Sequence, residues 1–355
     1  MSREEEQMLF GGKHFFAAAN TVTGFECNYG VLFGKEHIRR RYIVQGGPGT
    51  GKSYLLRQLG RVAEQKGKCV EYYHCSSDTE SLDAILIDGD TVVLDGTAPH
   101  TVNMTAPGFC DECLNLGAFW HSELLQEHAS AIQSKSVEKE KYYKNTYRYL
   151  KAYYEINSAK KDSIRPYIKY DKMEQALRRI LSSMKRGDRY AERPLGVDAI
   201  SIQGIVHLPT WEGYAEKLYC IEDCYGVGET AMSMLVSLAR AGGHRIAVSR
   251  DPLTSSSFSA VYFPDAGVAF LCDRYADIQT EHVIRTRRFL DCGALSCVRS
   301  SFREDSHLQS MLLSQALASL KGAGECHMEL EAIYSKSMDF SAKERYVRSL
   351  CESIL

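Results

Sequence analysis

Apolar and polar residues follow two rhythms along this chain. Short β-type runs, Tyr42-Ile43-Val44, Cys69 to His74 and Thr91 to Asp95, bracket a stretch with helical spacing, Lys52 to about Gln65, whose Leu55, Leu56, Leu59 and Ala63 share one face. Strand and helix alternating in this way predict an α/β fold with a mainly parallel sheet and helices on both faces. From Ser122 to about Lys185 the rhythm is helical throughout. Met173, Ala176, Leu177, Ile180, Leu181 and Met184 recur at the spacing of an amphipathic helix, and Asn157, Ser158 and Pro166 interrupt the segment. A helical hairpin projecting from the first domain is the expectation. The tail reads as three helical pieces: Asp305 to Lys321 ended by Gly322 and Gly324, then Glu325 to Lys336, then one opened by Ser341 with Glu344 as a capping box. These are expected to cover a face of a second sheet.

The second sheet is expected because the pattern repeats. Shifted back by 177 positions, Tyr219 falls on Tyr42, Gly226 on Gly49, Gly228 on Gly51 and Thr230 on Ser53. Met232 to Ala241 then matches Leu55 to Glu64, and His244 to Val248 parallels Lys68 to Tyr72. Ala269 to Asp273 parallels Thr91 to Asp95, which sets Asp273 against Asp95. Strand, loop, helix, strand and strand recur in order, the mark of an internal duplication.

The loop between the first strand and helix carries the chemistry. Gly46, Gly47, Pro48, Gly49, Thr50, Gly51, Lys52 and Ser53 meet the pattern G-x-x-x-x-G-K-[ST], the phosphate-binding P-loop (Walker A), in its strand-to-helix context. Glycines let successive backbone N–H groups point inward without Cβ interference, and the helix start adds partial positive charge. Lys52 is the candidate for the β- and γ-phosphates, Ser53 for Mg²⁺ through its hydroxyl, and Tyr54 closes the binding stretch. Asp95, ending an apolar strand, is the second candidate Mg²⁺ residue and, with Lys52, the candidate catalytic pair. The site therefore predicts ATP with Mg²⁺. Gly96 stands where many ATPases place a glutamate, so Asp78, Asp83 and His100 are alternative water-activating groups, with solvation or capping as their bland role.

In the second copy Glu229 replaces Lys52, and Asp223, Cys224 and Tyr225 replace Gly46, Gly47 and Pro48. A unit charge pair at about 4 Å with effective dielectric about 20 is worth roughly 4 kcal/mol, so reversing its sign removes nucleotide affinity. The second copy is expected to be a pseudo-site whose Arg245, Arg250 and Arg274 are candidate arginine fingers for the first.

Composition adds two points. With 44% hydrophobic and 25% charged residues, no apolar run near the roughly 20 needed to span a bilayer and no signal-like start at Met1 to Phe10, the chain reads as a soluble cytoplasmic protein with no membrane partner. Its 12 cysteines are scattered and read as free thiols, and the lone Cys110-Asp-Glu-Cys113 lacks the further ligands that zinc needs. Between Lys135 and Arg189 there are 16 Lys/Arg against 7 Asp/Glu, in a chain whose net charge is −2. Here Tyr142, Tyr143, Tyr147, Tyr153 and Tyr154 interleave with Lys141, Lys144, Arg148 and Lys151. Such a surface suits a macromolecular partner, nucleic acid included, while the alternative is a tyrosine seam within the hairpin.

Several phrases together give a family resemblance: Gly46 to Ser53, His74-Cys-Ser-Ser-Asp78 with Ser81-Leu-Asp83, Leu94-Asp-Gly-Thr-Ala-Pro-His100, His327-Met-Glu-Leu-Glu331 and Met338-Asp-Phe340. The chain resembles a little-characterised bacterial family of duplicated P-loop ATPases with a helical insertion between the halves. The resemblance implies two P-loop NTPase units and ATP binding. Glu229 departs from a family in which the second lysine is often kept, and Tyr275-Ala-Asp277 stands where the second copy would have its Ala-Pro-His phrase. The expected organisation is 1–121 as the active P-loop domain, 122–190 as the basic hairpin, 191–300 as the degenerate copy and 301–355 as C-terminal helices packing on it. A slow ATPase signalling to hairpin and pseudo-domain is the leading function. A P-loop kinase acting on a small molecule and a nucleotide-gated binding module without turnover are the alternatives, and an oligomer is compatible with each.

Overall fold

The computed structural model describes residues 13–34, 36, 38–187, 190–254 and 256–355. The start read as lacking a signal peptide, Met1 to Phe10, and Arg189 at the end of the basic segment lie outside them. The first copy runs β1 (Lys13–Phe16), a hairpin of β2 (Ala18–Thr21) and β3 (Gly24–Cys27), α1 (Tyr29–Leu32), β4 (Arg40–Gln45), α2 (Lys52–Gln65), β5 (Val70–His74), β6 (Leu82–Ile87), β7 (Thr91–Asp95) and β8 (Asp111–Asn115). Three helices follow: α3 (Ser122–Glu127), α4 (Ala129–Ile164) and α5 (Tyr170–Leu181). The second copy repeats the series as β9 (Ala191–Pro194), β10 (Asp198–Ser201), β11 (Gly204–His207), α6 (Thr210–Tyr214), β12 (Lys217–Glu222), α7 (Val227–Ala241), β13 (Arg245–Arg250), β14 (Phe258–Phe263), β15 (Val268–Cys272) and β16 (His282–Arg285). It ends on α8 (Arg299–Lys336) and α9 (Phe340–Ile354).

Both sheets have six strands in the same order, β1-β5-β6-β7-β4-β8 and β9-β13-β14-β15-β12-β16. The architecture is α/β and duplicated. Each sheet is mixed, because one internal strand opposes the rest: β6 is antiparallel to β5 and β7, and β14 to β13 and β15, while every other pairing is parallel. The cause is a tight turn. Asp88 and Gly89, at φ 51° and 76°, reverse the chain between β6 and β7, as an Asp-Gly pair between two apolar runs does in a hairpin.

The helical insertion is a correction. The segment after β8 is half of the repeat, since α4 and α5 recur as α8 and α9. Backbone pairing fixes the register: Trp120 bridges Met338, and Ile168 bridges Leu290, with both members of one pair 170 positions from their counterparts in the other. The hydrogen bonds around them recur likewise, His121 N to Ser337 O as Asp291 N to Tyr167 O, and Asp339 N to Phe119 O as Lys169 N to Phe289 O.

The chain forms two compact units. The first comprises the described residues up to Ala18, Cys27–Lys144 and Ser319–Leu355, and the second Ala19–Glu26 and Asn145–Ala318. The C-terminal helices expected on the second sheet are therefore divided, and 319–355 pack on the first. The α2 face (Leu55, Leu56, Leu59, Ala63) shares a core with Val347 and Leu350 of α9. In the second unit Ala231, Met232, Leu235 and Val236 of α7 share one with Met173, Leu177 and Leu181 of α5. Each buried leucine contributes roughly 1.5–3 kcal/mol, so the choice of sheet follows from which groove the apolar stripe fills.

Two expected helix breaks are absent. α4 continues past Asn157, whose amide donates to Glu229 Oε1 (3.5 Å) and whose oxygen accepts from Gln309 (3.1 Å), so partners in the second unit satisfy a side chain that otherwise favours a turn. Pro166 does mark the end. α8 continues through Gly322 and Gly324. A Cβ on Gly322 would stand 2.6 Å from the Tyr142 ring, so glycine there admits an aromatic side chain and does not end the helix. α9 is capped by Asp339, which accepts from Ala342 N at 2.9 Å, in place of the expected Ser341.

The tyrosines of α4 turn inward. Tyr143 donates to Ser77 Oγ (3.3 Å) in the first unit, and Tyr147 donates to Asn20 Oδ1 (2.8 Å) in the second, while Lys141, Lys144, Arg148 and Lys151 are exposed. Among the described residues no helix is long and apolar enough to cross a membrane.

Candidate functional site

The glycine loop of the first copy leaves the C-terminal end of β4 and enters α2 through Gly51, which caps the helix at φ 83° with no side-chain cap. The N–H groups of the first helical turn thus stay unclaimed by any capping side chain, as an anion site requires. Gly46 is pressed on Thr50, whose hydroxyl donates to Gly47 O at 2.9 Å. Lys52 extends along the loop. Its ammonium donates to Gly46 O (2.7 Å) and Gly47 O (3.0 Å) and lies 3.5 Å from Asp95 Oδ2. Asp95 ends β7 opposite Val44, so adjacent parallel strands deliver it beside the loop. Burial pushes its carboxyl above the usual range, and Lys52 and Thr97 pull back against this.

The loop also fits its own surroundings. A Cβ on Gly49 would lie 2.7 Å from Glu331 O, and one on Gly47 3.2 Å from the Trp120 ring and 3.4 Å from that of Tyr334. So α8 lies directly against the loop. Lys139 on α4 and His327 on α8 are neighbours of Lys52 and Glu331. Burial lowers the proton affinity of both, and each is lowered further by Lys52 and raised by Glu331. Glu331 and His327 enter the sequence analysis only in a family phrase and Lys139 only within the basic segment, because nothing local links α8 to a loop almost 280 positions earlier or α4 to one almost 90 positions earlier.

For Mg²⁺ the oxygen donors are suitable: Ser53 Oγ accepts one hydrogen bond, from Leu82 N at 2.9 Å, and Asp95 engages Thr97 through Oδ1, leaving Oδ2 toward Lys52. Mg²⁺ is commonly held by one or two protein oxygens together with substrate phosphates. Among the described residues no group of three His, Cys, Asp or Glu side chains converges into a metal cage. Cys110 is buried, Cys113 is exposed, and Asp111 beside them binds Arg41 at 2.8 Å.

The candidate water-activating groups each have partners of their own. His100 Nε2 lies 3.1 Å from Asp83 Oδ2, and its ring stacks on Tyr29. Burial works against its charge, yet the Asp83 bond and charge outweigh this and raise its pKa to about 10. Asp78 accepts from Ser81 Oγ (2.9 Å) and Glu80 N (3.2 Å), holding the β5–β6 turn. Gly96 explains why no glutamate follows Asp95: a Cβ there would stand 2.3 Å from Ile43 Cγ2.

The second copy fills its own site with anions. Asp223 accepts from Gly228 N (2.5 Å) and Gly226 N (3.1 Å), so its carboxylate occupies the donors that the loop would offer a phosphate. Glu229, where the first copy has Lys52, is buried and held by Lys161 (2.6 Å) and Arg274 (2.5 Å). Burial would push its carboxyl up, but Arg274 and Lys161 hold it below the usual range. Register corrects one match: Val44 pairs with Asp95, and its equivalent Ile221 pairs with Cys272, so Cys272 and not Asp273 answers to Asp95. Arg274 is tied to Glu229 and to Asp251 (2.9 Å), and Arg245 to Asp265. Arg250 lies over the Phe258 ring at 5.5 Å.

Comparison of the chain with family models, curated proteins and solved structures finds no match to any of them.

Proposed function

We propose that the first copy is a P-loop site that binds Mg–ATP, that the second is a structural pseudo-copy, and that the protein is a slow ATPase. The observation that carries this reading is Lys52 at the uncapped start of α2, 3.5 Å from Asp95, in a loop with glycine at each close approach. The backbone N–H groups and Lys52 would take the phosphate charge, and Ser53 with Asp95 would hold Mg²⁺, which neutralises charge developing on the transferred group. The Ala98-Pro99-His100 phrase supports the site from behind, since His100 fixes Asp83 on the strand next to β7.

One feature favours a second reading, a nucleotide-gated binding module with negligible turnover. Gly96 is packed on Ile43, so the position that follows Asp95 carries no carboxylate to activate water. Titration of MgATP into wild type and Lys52→Ala, followed by phosphate release, tests both. One saturable site lost in Lys52→Ala is expected. Binding that survives the substitution refutes the site assignment, and tight binding with no release selects the module.

A further inference from the structure

The C-terminal helix α9 places a second lysine at the loop. Lys343 is 6% exposed, yet its ammonium has no oxygen acceptor or carboxylate within contact distance among the described residues; its close neighbours are the rings of Tyr54 (4.7 Å) and Phe340 (5.0 Å). It is aimed at the start of α2, since a Cβ on Gly51 would stand 2.8 Å from Nζ. Burial of the side chain lowers the proton affinity of this ammonium, and the charge of Glu344 works against that fall. Tyr54 and Phe340 are 41% and 43% exposed, so the two rings over which the ammonium lies are open to solvent.

The repeat supplies an internal control. Lys343 is the fourth residue of α9, and the fourth residue of α5 in the second copy is Met173, wholly buried. The position is cationic where the loop keeps Lys52 and apolar where Glu229 replaces it. A packing role alone would be met by methionine in both.

We infer that Lys343 is a second phosphate-binding cation of the nucleotide site, reaching the α- or β-phosphate at Gly51 while Lys52 serves the γ-phosphate end. The inference rests on the Mg–ATP reading above. Its uncapped helix start, its glycine approach and a buried lysine lacking an acceptor converge on one ligand chemistry, a polyphosphate.

The test titrates Mg–ATP and Mg–tripolyphosphate into wild type, Lys52→Ala, Lys343→Met and Lys343→Arg, with thermal melting of each unliganded protein. Methionine is the residue the chain itself uses at this position in its other copy, and Lys343→Gln serves if it fails to fold. Lys343→Met is expected to weaken both ligands at least tenfold, with Lys343→Arg within about threefold of wild type. Unchanged affinity in Lys343→Met, with Lys52→Ala inactive, overturns the inference and leaves the site standing. Loss of ATP affinity alone overturns the phosphate contact, placing Lys343 at the nucleoside. Absence of binding in wild type overturns the site and the inference with it.

Discussion

Arg274→Met is the most direct probe of the second copy. Arg274 Nη1 bridges Glu229 (2.5 Å) and Asp251 (2.9 Å), two carboxylates whose side chains are each 2% exposed. Removing one partner of a buried ion pair costs about 3–5 kcal/mol. Lys161 remains on Glu229 at 2.6 Å and the Tyr275 hydroxyl on Asp251 at 2.5 Å, so the lower end, about 3 kcal/mol at pH 8, is expected. Burial already raises the Asp251 carboxyl, and Arg274 opposes that rise. Without the arginine Asp251 titrates still higher, and protonation then favours the folded state. The penalty is therefore full above the folded pKa and shrinks as pH falls toward the unfolded value. Urea unfolding at pH 8 and pH 5, in a Trp120→Phe background, reads this locally, because Trp211 in the second unit is then the sole tryptophan. A loss below about 1 kcal/mol at pH 8, or the same loss at both pH values, refutes the reasoning.

Two further outcomes follow from the same geometry. Glu229→Lys, which restores only the lysine of the motif, should not create a second nucleotide site: the new ammonium faces Lys161 and Arg274, Asp223 still stands at the first glycine position and fills the loop, and Cys272 stands in place of aspartate. Calorimetric stoichiometry should stay at the wild-type value with a lower melting temperature, and a second site would sink the pseudo-copy reading. His100, raised to about 10 by Asp83 and Cys27 against burial and an ordinary 6.5, contributes stability that is complete below about pH 6.5 and is lost as pH rises through 10. The melting-temperature gap between wild type and His100→Gln should narrow across that window, and a constant gap would show that the pair does not titrate as argued.

The local elements were legible because their signals are local. Lys52 to Gln65 has one apolar face, the loop before it is uniquely glycine-rich, and Thr91 to Asp95 is an apolar run ending in aspartate; α2 and β7 form over those residues. The duplication was legible too, because both copies keep the same order of strands and helices, with nearly constant spacing from the first loop strand to the strand that ends at Asp95 or Cys272. The opposed strand β6 has a readable cue in Asp88-Gly89, which the expectation of a mainly parallel sheet did not use.

What the sequence could not decide is where each helix pair packs. An apolar stripe such as Met173, Leu177 and Leu181, or Val347 and Leu350, records that a face is buried and not against which sheet. Only the tertiary structure assigns α9 to α2 and α5 to α7, and with that assignment Lys343, Tyr334 and Glu331 arrive at the first copy's loop. The fate of Glu229 is likewise a matter of three dimensions. As a letter it is a lost lysine, but among Lys161, Arg274 and Asp251 it is one member of a buried network whose charges offset one another. Hydrophobic periodicity is written along the chain, whereas partner choice depends on shape and charge meeting across segments that the chain keeps far apart.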